Sequence, residues 1–463
     1  MAPKRRKTSA KAHAAFPQEE CVLPVELLDM IFLELAEMYN YHTTELMYKD
    51  SIVHKFPNPL VACSAINRYW PLKHAVTNRL LYRSVTITDY ESLDLFRAAI
   101  KNDKTLLQLV FRFTVDFQYK TLPTREYAQR KEQHRRSRVA DEVWEVMNMF
   151  SSLNHFGINA QSLWRRDIAP NAPPKWFAQL KSLTLRGHRD NYSCKLLSHY
   201  LTHAGPSLER LSLIGYDQGD LHPLFKCPPN LRSLSIYGRR DGGHGALPMV
   251  QHIERSVLDC RLEDISLDRR SYPTIDSLQP LLDMLKCHAP TLRRLHLGLS
   301  IPQPIVYTFI ESLAEVLALA TQLHTFSFST WRMHTLEPRR TLLDALPPSL
   351  RTLKLQQQEL VQFCNNPLEA DKTYVNEFDL NNVYLEEVDL VLGRVRDWAL
   401  KELRTFHSGA AQWSQRKDCN WNWPPRKASE RKRRQLRASG VECGADVRFS
   451  TSLPDRLHWA FAV

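Results

Sequence analysis

One short pattern constrains this chain more than any other feature: an apolar residue, two of any kind, an apolar residue, one of any kind, and a third apolar residue. It occurs at Leu180-Leu183-Leu185, Leu208-Leu211-Leu213, Leu231-Leu234-Ile236 and Leu262-Ile265-Leu267. It continues at Leu292-Leu295-Leu297, Leu323-Phe326-Phe328, Leu350-Leu353-Leu355 and Leu385-Val388-Leu390. Successive copies start 28, 23, 31, 30, 31, 27 and 35 residues apart. Weaker copies precede them at Tyr82-Val85-Ile87, Val110-Phe113-Val115 and Leu153-Phe156-Ile158. The period-2 second half of each copy predicts a strand with one buried face. Between copies, Leu278, Leu281, Leu282 and Leu285 recur at helical spacing, as do Phe309, Leu313, Val316, Leu317 and Ala320. Each unit therefore predicts a strand, a loop and a helix. One such unit cannot bury its apolar edge alone, and parallel stacking of neighbours can.

The pattern resembles leucine-rich repeats over roughly residues 82–400. That resemblance implies an α/β repeat fold, a solenoid. The ninth position of each unit, usually Asn or Cys in such repeats, holds His188, Tyr216, Arg239, Arg270, Ser300, Trp331, Gln358 and Gly393. The expectation is thus an irregular, helix-bearing arc. The other fold with such alternation, a doubly wound nucleotide-binding sheet, needs a Gly-rich phosphate loop after a strand. The chain has no GxGxxG or GxxxxGK[ST], and Asp241-Gly242-Gly243-His244-Gly245 has the wrong spacing.

Ahead of the repeats, residues 23–35 read Leu-Pro-Val-Glu-Leu-Leu-Asp-Met-Ile-Phe-Leu-Glu-Leu. Pro24 suits the first turn of a helix, and Leu27, Leu28, Ile31, Phe32 and Leu35 form one apolar stripe. A second block runs Leu60-Val61-Ala62-Cys63-Ser64-Ala65-Ile66-Asn67-Arg68-Tyr69-Trp70, and a third is Leu80-Leu81-Tyr82. In this order the blocks resemble an F-box of the kind that opens many fungal leucine-rich-repeat proteins. The stretch 36–59 between the first two blocks is longer than an F-box usually carries. The resemblance implies a non-enzymatic subunit of an SCF-type cullin–RING ubiquitin ligase. It would dock a Skp-type adaptor through Leu23, Pro24, Leu27, Leu28, Ile31, Phe32, Ile66 and Trp70, and capture a protein substrate with the repeats. A helical cap on the repeat array is the other reading of these blocks.

Within the repeats, residues flanking the strand leucines share the opposite, concave face. Most are small and polar. The large or charged ones, Arg186, Arg210, Tyr237, Asp264, Asp268, Arg294, His296 and Lys354, are the candidates for substrate contact, since Arg and Tyr are enriched at binding hot spots. Residues 118–140 carry Gln118-Tyr119-Lys120 through Arg135-Arg136-Ser137-Arg138 and read as a basic, exposed insertion.

The net charge of +12 invites a nucleic-acid partner, but it is concentrated at the ends. Residues 1–20 hold five Lys/Arg against two Asp/Glu, and residues 412–463 hold eleven against five. Lys4, Arg5, Arg6 and Lys7, with Arg431, Lys432, Arg433 and Arg434, are candidate nuclear-import signals, so the expected location is nucleus and/or cytoplasm. Nucleic-acid contact through these tails, in a non-ligase nuclear scaffold, is the alternative function.

The expected organisation is a basic disordered tail (1–20), an F-box-like helical domain (21–88), a repeat array (89–407) and a basic, largely disordered tail (408–463). No catalytic residue, cofactor or metal site is expected: the chain lacks HExxH and GxSxG, and its nine cysteines form no CxxC. Those cysteines read as reduced, mostly buried thiols. No apolar run approaches the ~18 residues of a membrane span.

Overall fold

The structure, a computed structural model, describes residues 82–117, 126–151, 153–159, 174–186, 203, 205–215, 227–237, 253–271, 274–301, 303–330, 336–357, 388–397, 399–410, 431, 434–435 and 437–443. The chain divides into two units, Met1–Leu81 and Tyr82–Val463, and the described residues all lie in the second. The adaptor-docking candidates Leu23 to Trp70, and Lys4 to Lys7, Lys432 and Arg433, lie outside the described residues.

The second unit is α/β, built on a single parallel sheet. Its strands are β1 (Ser84–Ile87), β2 (Arg112–Val115), β3 (His155–Asn159), β4 (Ser182–Arg186), β5 (Arg210–Ile214) and β6 (Ser233–Tyr237). They continue as β7 (Asp264–Ser271), β8 (Arg294–Ser300), β9 (Thr325–Thr330), β10 (Thr352–Gln357), β11 (Thr405–Ala410) and β12 (Glu442–Cys443). The order in the sheet equals the order in the chain, from β1 to β12.

The repeat pattern explains this register. Val85, Phe113, Phe156, Leu183, Leu211, Leu234, Ile265, Leu295, Phe326, Leu353 and Phe406 stand opposite one another from β1 to β11. All of them are buried, as are the residues two places on, from Ile87 to Leu355. The leading apolar position, from Val110 through Leu180 and Leu292 to Leu403, makes a third buried row. Each aliphatic side chain so buried contributes about 1.5–3 kcal/mol.

Register is also pinned at the strand starts. The N–H groups of Lys181 and Ser182 both donate to Asn154 O at 3.0 Å, and those of Glu209 and Arg210 donate to Lys181 O at 2.9 and 3.0 Å. The same fork recurs at Arg293 and Arg294 on Glu263 O, and at Arg404 and Thr405 on Arg351 O.

Parallel neighbours require a crossover, and among the described residues α-helices lie between β1 and β2, β2 and β3, β7 and β8, β8 and β9, and β9 and β10. These are α1 (Tyr90–Asn102), α2 (Leu106–Leu109), α3 (Glu126–Met149), α4 (Ile275–His288), α5 (Gln303–Leu319) and α6 (Leu336–Asp344). Thr274 caps α4, accepting from Ser277 N at 3.3 Å, while Ser277 Oγ accepts from Thr274 N in return. Leu278, Leu281 and Leu285 of α4 and Phe309, Leu313 and Leu317 of α5 join the strand residues in one core. Between β2 and β4 that core turns aromatic: Phe113 lies 5.0 Å from Phe150, and Phe156 lies 5.5 Å from Trp176, centroid to centroid. Trp176 Nε1 donates to Met147 O at 3.0 Å, which satisfies the one polar atom of a fully buried indole.

Four expectations are corrected. Residues 126–149 form one helix, α3, so most of the supposed insertion at 118–140 is the crossover between β2 and β3. Its later part buries Val139, Ala140, Val143, Val146 and Met147, and Arg97 of α1 binds Glu142 at 3.3 Å and Glu145 at 2.9 Å. Residues 388–396 are helical, so Leu385-Val388-Leu390 is not a strand copy. Val388, Val391 and Leu392 are buried at helical spacing, and Val388 belongs to this helical stripe as well as to the matched triplet. The sheet begins at Ser84 and reaches Cys443, so the limits at 89 and 407 both fall inside it. Finally, helical backbone at 437–438 closes on Gly440, whose φ of 77° favours glycine, and the chain then pairs as β12. Within the expected tail, residues 408–410 and 442–443 thus belong to the sheet.

Candidate functional site

The core occupies one face of the sheet, and polar side chains occupy the other. Opposite one another in the middle row stand Thr86, Thr114, Gly157, Thr184, Ser212, Ser235, Ser266, His296, Ser327, Lys354 and His407. This is a floor of small residues with larger groups on the rows beside it.

At β3 the floor is deeply buried. His155, Gly157 and Asn159 all lie below the exposure of an ordinary surface residue, so all five residues of the strand are buried. A Cβ added at Gly157 would lie 3.1 Å from both Oγ1 and Cγ2 of Thr114, which leaves room only for glycine without movement.

Two polar clusters surround this point. In the first, the Arg83 guanidinium lies 5.1 Å from the Phe111 ring centre, and that ring lies 4.7 Å from the His155 ring. Arg210 Nη2 stands 3.4 Å from His155 Nε2 and 3.5 Å from its Nδ1. Burial, and then the charges of Arg112, Arg210, Arg83 and Lys181, push the His155 pKa down to about 3. The imidazole is therefore neutral, and it works as a packing surface for cations. In the second cluster, Asn159 Nδ2 donates to Asp116 Oδ1 at 2.9 Å. Arg186 Nη1 lies 3.4 and 3.3 Å from the two oxygens of the same carboxylate.

Further along, Tyr237 and Ser266 share a hydrogen bond of 3.0 Å across the β6–β7 pair. Arg294 grips Asp264 with a fork, Nε to Oδ1 at 2.7 Å and Nη2 to Oδ2 at 2.5 Å. Between β7 and β8 the register slips by one residue, so that Asp268 and Arg269 oppose Gly298.

Of the candidate face residues, Asp264 and Arg294 are thus paired with each other. Arg186, Arg210 and Tyr237 are held by residues outside the candidate set. His296 and Lys354 are half-buried on the same floor. Asp268 stands opposite Tyr237 in register, and its side chain lies outside the described residues. Sequence reasoning missed Asp116, His155 and Asn159. The alternation rule applied to the weak copy Leu153-Phe156-Ile158 would have marked His155 and Asn159. Arg431 and Arg434 are exposed in helical backbone.

Among the described residues, no group of three or more His, Cys, Asp or Glu is placed to hold a metal ion. Among the same residues, no helix is long and apolar enough to cross a membrane. Compared with known proteins, the chain matches no family model, and no curated sequence is significantly similar to it.

Proposed function

We propose that this chain is a non-catalytic substrate receptor of an SCF-type cullin–RING ubiquitin ligase. The F-box-like segment docks a Skp-type adaptor, and the polar face of the leucine-rich-repeat-like sheet holds a protein substrate. The ordered blocks around Leu23–Leu35, Leu60–Trp70 and Leu80–Tyr82 support the first half.

The second half rests on one observation: five large polar side chains of the face, Arg186, Arg210, Tyr237, Asp264 and Arg294, are already fixed by cross-strand contacts. Side chains fixed beforehand lose less entropy on binding. From β3 to β8 the face spans five strand spacings, about 24 Å at about 4.8 Å each, the reach of about seven extended residues. Crossing from β4 to β8, the strands carry Arg186, Arg210, Tyr237, Asp264 and Arg294 in turn. The mixed signs favour a client segment that carries both charges.

Co-purification with a Skp-type adaptor tests the proposal. The wild-type chain is expected to retain the adaptor, and a Leu23→Ala/Pro24→Ala/Trp70→Ala variant to lose it. Failure of the wild type to bind, or equal binding by the variant, would sink the reading.

A further inference from the structure

Two thiols meet just ahead of strands β6 and β7. Cys227 opens the turn Cys227-Pro228-Pro229-Asn230, and Cys260 ends the segment 253–260. Their sulfurs lie 3.1 Å apart although 33 residues separate them in the chain. A disulfide bond is about 2.05 Å long, so roughly 1 Å of approach would join them. Both thiols also face the Pro228 carbonyl, Cys260 Sγ at 3.4 Å and Cys227 Sγ at 3.7 Å. Cys260 is buried, and Cys227 is half-buried.

The backbone that carries them is tied down. Leu231 N donates to Pro228 O at 3.1 Å, Cys260 N to Val257 O at 3.0 Å, and Asn230 Nδ2 to Pro206 O at 2.7 Å. The close approach therefore belongs to ordered turns on both sides. The third described thiol, Cys287, is exposed and donates to Leu258 O at 3.3 Å.

We propose that Cys227 and Cys260 form a redox modification site, which a hydroperoxide closes to an intramolecular disulfide and a thiol reductant reopens. The thiolate of one cysteine attacks a peroxide oxygen. The O–O bond breaks, water leaves, and that sulfur becomes a sulfenic acid. The second sulfur displaces the hydroxyl, which departs as water with the second thiol's proton. In balance, two thiols and one hydrogen peroxide give a disulfide and two waters, and the sulfurs surrender two electrons to the peroxide. The hydrogen bond between the thiols assists the first step. A thiolate formed on either sulfur is stabilised by the thiol proton its neighbour still carries. The closed bond would staple the segments leading into β6 and β7, the strands that carry Tyr237, Ser266 and Asp264.

The full chain suits a direct test. Trypsin isolates Cys227 within residues 227–232 and Cys260 within residues 256–261, one cysteine in each. After stoichiometric hydrogen peroxide, alkylation and non-reducing digestion, mass spectrometry is expected to find these two peptides linked. Dithiothreitol should release them. Oxidation should also raise the thermal midpoint by several degrees, because the link constrains the unfolded chain. Cys260→Ser should lose the linked species and the shift, and Cys287→Ser should keep both. Recovery of Cys227 and Cys260 as separate alkylated thiols or as sulfinic acids would overturn the proposal, as would a link from either to another cysteine. Mapping the wild type alone decides the matter if the Cys260→Ser variant fails to fold.

Discussion

Arg210 on β5 reaches across β4 to His155 on β3, and its Nη2 stands 3.4 Å from Nε2 of the imidazole. Burial, and then the cations around it, Arg112 and Arg210 first, keep that histidine uncharged. The folded pKa of about 3 lies below the usual 6.5, so the unfolded chain binds the proton more readily. His155 therefore favours the folded state fully above pH 6.5, and that contribution fades as pH falls toward 3.

The first expected outcome follows from that sign. Between pH 7 and pH 5 the wild type should lose about 2 kcal/mol of stability through this one group, at about 1.4 kcal/mol per pH unit. His155→Gln should flatten the pH dependence of denaturant-unfolding free energy by about one proton in this window. An unchanged slope would show that His155 titrates normally.

Gly157→Ala should destabilise the fold by about 1–3 kcal/mol, because the new methyl meets Thr114. Thr114→Ala removes both atoms in the way and should restore most of the loss. A double-mutant cycle by urea unfolding measures the coupling, and additive effects would contradict the contact.

Asn159→Ala withdraws a donor from the buried Asp116 carboxylate. A loss of about 1–3 kcal/mol is expected, as for a buried acceptor deprived of its partner. Asp116→Asn should lower the effect of Arg186→Ala, since the two groups then share no full charge. Thermal unfolding of these three variants and of the Asp116→Asn/Arg186→Ala double variant checks both statements.

Exchanging the charges of the Asp264–Arg294 fork should leave stability within about 1 kcal/mol, because Arg294 is largely exposed. Under the proposed receptor role, the same Asp264→Arg/Arg294→Asp variant should lose client proteins yet keep the adaptor. Quantitative affinity purification separates the two losses, and undiminished client capture would remove this part of the face from the binding surface.

The parts of the fold that the sequence made legible are those in which one side-chain rule acts alone. Leu183, Leu211, Leu234, Ile265, Leu295, Phe326 and Leu353 sit in register because each supplies the same apolar contact. Val388 misled because one apolar residue can belong to a helix stripe as well as to a matched triplet. β11 escaped notice because Ser408 stands where the third apolar residue belongs, and β12 because it is two residues long. On the polar face, alternation correctly marked Asp264 and Arg294. It could not show that the two side chains would grip each other, or that Arg210 would turn toward His155. Such choices depend on which neighbours lie one and two strands away.

The identity of chain order and sheet order has a final consequence. In its backbone ladder each strand pairs only with the strands before and after it, and side-chain contacts such as Arg210 to His155 reach two strands, so the sheet behaves nearly as a row of near neighbours. A lesion at β3 should loosen β2 and β4 while β9 and β10 keep their amide protection. Damage and repair in this molecule are regional events, and hydrogen exchange should resolve them as separate zones along the chain.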